Sequence, residues 1–174
     1  MIETKEYKLE IICREFMKEV MHTAIENLKC YGTVEPVLLV ATPQGKVFPL
    51  TMRFKDYWEK IIVFEAARQT MKKFQPLFAI HVTEIWDKEY NDPNDPEAND
   101  HSIPVSEREG RTESVMLFGK GNGFTVVWLK PFTRDENDDP VITDDPPREL
   151  SGGNVIHSNL FDGVFAESPA SGTC

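Results

Sequence analysis

The sequence predicts an α+β fold, a mostly antiparallel sheet packed by two helices in the order α-β-β-α-β-β-β, followed by an acidic tail. Three observations carry this reading. Two stretches repeat apolar residues at helical spacing, two glycine-bearing turns join runs of strand formers, and residues 77–86 concentrate β-branched and aromatic side chains between a proline and an acidic loop. The expected domain covers residues 4–132, with a long acidic loop at 87–110 and a mostly disordered tail at 133–174.

Residues 4–30 read as the first helix. Ile12, Phe16, Val20, Ala24 and Leu28 recur every four residues, and Cys13, Met17, Met21 and Ile25 widen the stripe. His22 falls away from that stripe, and Gly32 stands where a C-terminal cap belongs. A hairpin follows: strand 37–41, the turn Thr42-Pro-Gln-Gly45, and strand 46–52. Pro49 marks the second strand as an edge. Asp56 is the expected cap of a second helix running to about Gln75, with Trp58, Ile61, Ile62, Ala66, Met71 and Phe74 as its apolar face and Pro76 as its stop.

In the strand at 77–86, alternation puts Ile80, Val82, Glu84 and Trp86 on one face and Ala79, His81, Thr83 and Ile85 on the other. Glu84 then sits among apolar neighbours, where a carboxylate needs a partner or a purpose. After the proline-broken loop, strands 112–118 and 124–130 flank Gly119-Lys-Gly-Asn-Gly123 and form a second hairpin. Within the tail, residues 155–165 are a small apolar island. Docking back onto the domain is the default for such a cluster; as partner-binding residues the candidates are Ile156, Leu160, Phe161 and Phe165, together with Trp86 and Arg111 in the body of the chain.

Charge is unevenly placed. Residues 87–101 hold six acids and one lysine, and residues 133–149 seven acids and two arginines, so these two stretches carry the whole net charge of −10. No basic patch offers a phosphate footprint, which argues against nucleic acid as a partner. The acidic runs read as solvating segments, or as a surface for a basic partner or a cation. No apolar run approaches the ~18 residues a membrane span needs. The N-terminus has no signal-peptide pattern, and the odd set Cys13, Cys30 and Cys174 reads as free thiols, so the expected location is cytoplasmic.

Candidate chemistry centres on carboxylates. Glu35, Glu84 and Glu113 are the acids considered; a Glu84–Glu113 pair would suggest acid–base catalysis, and a Glu84–Arg111 pair plain structural pairing. Zinc deamination fails on spacing: Cys13-Arg-Glu15 has the first half of the pattern, but no Pro-Cys-x-x-Cys follows. The loop at 91–100 lacks the alternating acids, central glycine and final glutamate of an EF-hand. Lys120 lacks the spacing of a phosphate-binding loop, and no Gly-x-Ser-x-Gly is present. No metal and no cofactor are expected.

The element order, with VLLVATPQGKV (37–47) as first hairpin, resembles the profilin-like roadblock/longin arrangement over roughly residues 4–130. That resemblance implies a dimerising, non-enzymatic regulatory module. The segments EPVLLVAT (35–42), Ala67-Arg68, VTEIW (82–86) and SEREGRTESVML (106–117) are also similar to small bacterial and phage proteins with a Glu-x-Trp strand and a later Arg-x-Glu strand. This second resemblance implies a prokaryotic or phage origin and carries no functional residue across. The leading expectation is a non-catalytic protein-binding or regulatory module that uses the acidic loop and tail, with a protein or a second copy of the chain as partner. The alternative is a small hydrolase-like enzyme working through Glu84 and Glu113, with a divalent cation.

Overall fold

The helix α1 spans Ile2–Tyr31 and ends as its sequence demands: Gly32 takes a left-handed φ of 73°, and its N–H donates to the Leu28 carbonyl at 2.8 Å. In the computed structural model the described residues are 2–88, 95, 96, 100, 102, 104–150 and 159–166, with the backbone alone described for 2–6. The strands are β1 (Val37–Ala41), β2 (Val47–Thr51), β3 (Phe78–Asp87), β4 (Thr112–Gly121), β5 (Phe124–Arg134), β6 (Pro140–Val141) and β7 (Arg148–Leu150), and the second helix α2 spans Tyr57–Phe74. Asp56 caps α2, its side chain accepting from the Glu59 N–H at 2.9 Å, and Gln75 closes it in a left-handed conformation ahead of Pro76.

All strand pairs are antiparallel, in the order β2-β1-β3-β4-β5, with β6 and β7 pairing successive parts of the outer edge of β5. The α+β class is therefore as the sequence predicts, and Pro49 does lie on an edge strand.

The sheet is covered on both faces. Under α1, the residues Cys13, Met17, Met21 and Leu28 pack on Ile80, Val82, Val115, Leu117 and Val126. Gly119 makes room for this contact: a Cβ there would lie 2.9 Å from Met17 Sδ and 3.1 Å from Cys13 Sγ. On the opposite face Phe64, Ala67 and Met71 of α2 pack on Leu38, Val40, Ala79, Met116 and Phe118. These residues repeat at three and four positions, so the buried face of α2 differs from the predicted one. Trp58 and Ile62 point to solvent, with 73% and 68% of their surfaces exposed, because Phe64 and Met71 claim the sheet side. Ile12 is likewise half exposed, and the buried seam of α1 runs through Cys13 and Met17 instead.

The domain boundary also differs from the expected one at 132. β5 continues through Pro131 and Phe132 to Arg134, and β7 adds to it through Val127, Trp128 and Leu129. Arg14 of α1 clamps this last strand, donating through both terminal nitrogens to Glu149 at 2.7 and 2.8 Å, while Trp128 Nε1 donates to the same carboxylate at 3.1 Å. The Arg14 bonds, with the Trp128 bond behind them, lower the Glu149 pKa. Lys130, buried under the β6–β7 connection, donates to the Thr143 and Asp145 carbonyls. The residues read as a disordered acidic linker are thus tied down through backbone pairing and two basic side chains.

Candidate functional site

Glu84 lies on the α1 face of β3, but beyond the reach of the helix. Its neighbours Ile80 and Val82 are buried beneath α1, whereas α1 ends at Tyr31 and the chain then passes Glu84 itself. There the Thr33 hydroxyl donates to Glu84 Oε1 at 2.9 Å, and the Val34 N–H donates to the same oxygen. The carboxylate thereby anchors the segment that connects α1 to β1.

The third partner of Glu84 is Arg134. Register places Trp86 opposite Glu113 and Glu113 opposite Phe132, so Glu84, Glu113 and Arg134 fall on one face near one end of the three central strands. Arg134 Nε donates to Glu113 Oε2 at 3.0 Å, and its Nη2 lies 3.7 Å from Glu84 Oε2. Nη1 donates to the Gly32 carbonyl at 3.1 Å, which ties the guanidinium to the end of α1. The three side chains are 16–24% exposed. One guanidinium thus serves both candidate carboxylates. The expected Glu84–Arg111 pair does not form, because Arg111 precedes β4 and stacks over the Trp86 ring at 4.8 Å instead. Glu35 is on the surface and pairs with Arg53.

Trp86 and Arg111, two of the predicted binding residues, are therefore brought together at the roots of the acidic loop. Trp86 keeps 41% of its surface exposed. Leu160, Phe161 and Phe165 take the other course: they are buried against the α2 face of the sheet, with Phe161 stacked on Phe118 at 5.3 Å. Asn159–Phe161 form a short 3-10 helix, and the Asn159 carbonyl accepts from Arg68 at 2.7 Å. Docking of the island removes these three as exposed contacts for a partner; Ile156 lies outside the described residues.

A cleft of about 820 Å³ opens on the α2 side, between the start of α2, the outer half of β3 and the 3-10 helix. Phe54, Lys60, Phe64, His81, Trp86 and Asp162 are among its lining residues. Sequence reasoning passed over Lys60 and Phe54, whose juxtaposition with His81 depends on how α2 crosses the sheet. Arg134 was missed because the fifth strand was expected to end before Pro131, although the alternation Phe124, Val126, Trp128 continues through Lys130, Phe132 and Arg134.

Among the described residues no group of three or more His, Cys, Asp or Glu side chains is arranged to hold a metal ion, and no described helix is long and apolar enough to cross a membrane. No family model, no curated protein and no solved structure matches the chain.

Proposed function

We propose that the chain is a non-catalytic protein-binding module whose partner surface is the sheet end at Trp86 and Arg111, continued by the acidic loop. The observation that supports this reading is the engagement of Arg134 with both Glu84 and Glu113. A carboxylate that works as acid or base needs an oxygen open to substrate. Here Thr33 and Val34 occupy Glu84 Oε1, and one guanidinium engages Glu84 Oε2 and Glu113 Oε2. With the carboxylates in a structural role, the exposed chemistry at this end of the sheet is an aromatic face with a stacked guanidinium. Trp and Arg are the side chains most enriched among residues that dominate binding energy at protein interfaces. The flanking loop, six acids against one lysine over residues 87–101, selects a partner with a basic surface.

The test is affinity purification of the full chain from its host, beside the double variant Trp86→Ala/Arg111→Ala and the control Glu35→Gln. The expected result is a stoichiometric basic protein, eluted by salt, retained by the control and lost from the double variant. If wild type and double variant retain the same proteins, or the wild type returns alone, the reading is wrong. A self-associating wild type in light scattering would instead make the partner a second copy of the chain.

A further inference from the structure

We propose that the cleft between α2 and β3 binds a small planar aromatic carboxylate, with its ring against Phe54 and Phe64 and its carboxylate on Lys60. The proposal is separate from the protein-binding reading, since it rests on Lys60, Phe54, Phe64 and His81 on the α2 side of the sheet. Trp86 lines the cleft as well, so the test varies Lys60 and Phe54 and leaves Trp86 in place. The cleft has the volume of a small-molecule site, which typically runs to a few hundred Å³ or more.

Its walls are aromatic and partly open to solvent: Phe54 and Trp86 each expose 41% of their surface, although nearby core positions are closed. Lys60 supplies the charge. Its ammonium lies over the Phe54 and Phe64 rings, at 5.8 and 5.3 Å from their centroids, and has no ion-pair partner among the described residues. The neighbouring acids do not offset it. Glu84 is held by Thr33 and Arg134, and Asp87 accepts from Ser114 at 2.9 Å and Arg148 at 2.9 Å. Asp162 is the remaining carboxylate of the wall; it is exposed, so solvent screens it.

His81 adds a second, separate observation. It is 7% exposed, stands edge-to-face with Phe64 at 6.0 Å, and its Nε2 has no hydrogen-bond partner. A buried polar atom left unpaired is costly, and a polar group brought in by a ligand would relieve that cost. The imidazole is kept neutral by burial and by the nearby Lys60 charge, so it does not compete with Lys60 for the carboxylate. Lys88 also lines the cleft and has an interaction of its own, so Lys60 is the cation left for a ligand. With aromatic walls and a neutral polar site, it matches a monoanionic aromatic better than a polyanion or an amine.

The experiment titrates the full chain with 1-naphthoate, 1-naphthylmethanol and 1-naphthylmethylamine, read by the His81 ring resonances in NMR and by Trp fluorescence. Saturable one-to-one binding of the carboxylate is expected, and Lys60→Met should weaken it by roughly tenfold or more. The same substitution should leave naphthylmethanol affinity unchanged, and Ile62→Ser on the outer face of α2 should leave all three unchanged. Lys60 and Phe54 are both partly exposed; if Lys60→Met does not fold, Phe54→Ala gives the second measure and should weaken the carboxylate too. The proposal is overturned by no saturable shift at His81, by equal affinity for the three probes, by preference for the amine, or by Lys60→Met binding naphthoate as well as wild type.

Discussion

Arg134 and Glu113 meet across the β4–β5 ladder, Nε to Oε2 at 3.0 Å, and the same guanidinium reaches Glu84 of β3. Three strands are therefore joined by one basic side chain at the end of the sheet where α1 no longer covers it. Removing the arginine leaves two partly buried carboxylates without their shared counter-charge. Arg134→Met is expected to cost about 2–3 kcal/mol, measured by urea unfolding. The triple variant Arg134→Met/Glu84→Gln/Glu113→Gln should recover part of that loss. An Arg134→Met protein as stable as wild type would show that the cluster contributes nothing to the fold.

The C-terminal region is expected to be required for stability. A chain ending at Phe132 loses Arg134, β6 and β7, and uncovers the surface on which Leu160, Phe161 and Phe165 sit. Burying Leu160 and Phe161 alone contributes on the order of 4–5 kcal/mol. The 1–132 chain should be insoluble or molten by near-UV circular dichroism. The single change Leu160→Ala should lower stability by about 2–4 kcal/mol. Unaltered unfolding midpoints in either protein would place the island off the domain.

Stability should fall on acidification through His81. Burial, and then the charge of Lys60, depress its pKa from 6.5 to about 4. Between those values the unfolded chain binds a proton that the folded chain refuses. The stabilisation is therefore complete above about pH 6.5 and is lost as pH falls towards 4, for a total of roughly 3 kcal/mol. Comparing unfolding free energies at pH 7 and pH 5 for wild type and His81→Leu isolates this contribution. Parallel pH dependences in the two proteins would contradict it.

Cys13 should resist thiol reagents until the protein unfolds. It is fully buried beneath α1 against Gly119, and desolvation pushes its pKa up to about 12. In a Cys30→Ser/Cys174→Ser background, labelling by a disulfide reagent should follow the unfolding rate. Rapid labelling under native conditions would mean that α1 lifts from the sheet.

The same seam gives a packing test. Gly119→Val inserts a branched side chain against Met17 and Cys13, and overpacking of this kind costs about 1–3 kcal/mol. A variant with unchanged thermal stability would show that Met17 yields without strain.

What the sequence by itself determined is local. Helix ends at Asp56, Pro76 and Gly32, the turns at Gly45 and Gly123, the edge position of Pro49 and the two-faced alternation of β3 all depend on backbone chemistry within a few residues. Tertiary structure decided which side of α2 is buried, because Trp58–Ile62 and Phe64–Met71 are both apolar and only the fit against Ala79 and Met116 separates them. It also decided the partner of Glu84. Alternation could put Glu84 and Glu113 on one face, but Arg134 joins them only because β5 runs past Pro131 and returns beside Glu113. The tail shows the same limit: its charge and prolines resemble disorder, and its order comes from long-range partners, Arg14 for Glu149 and Phe118 for Phe161. Contacts between residues far apart in the chain leave no local periodicity to read.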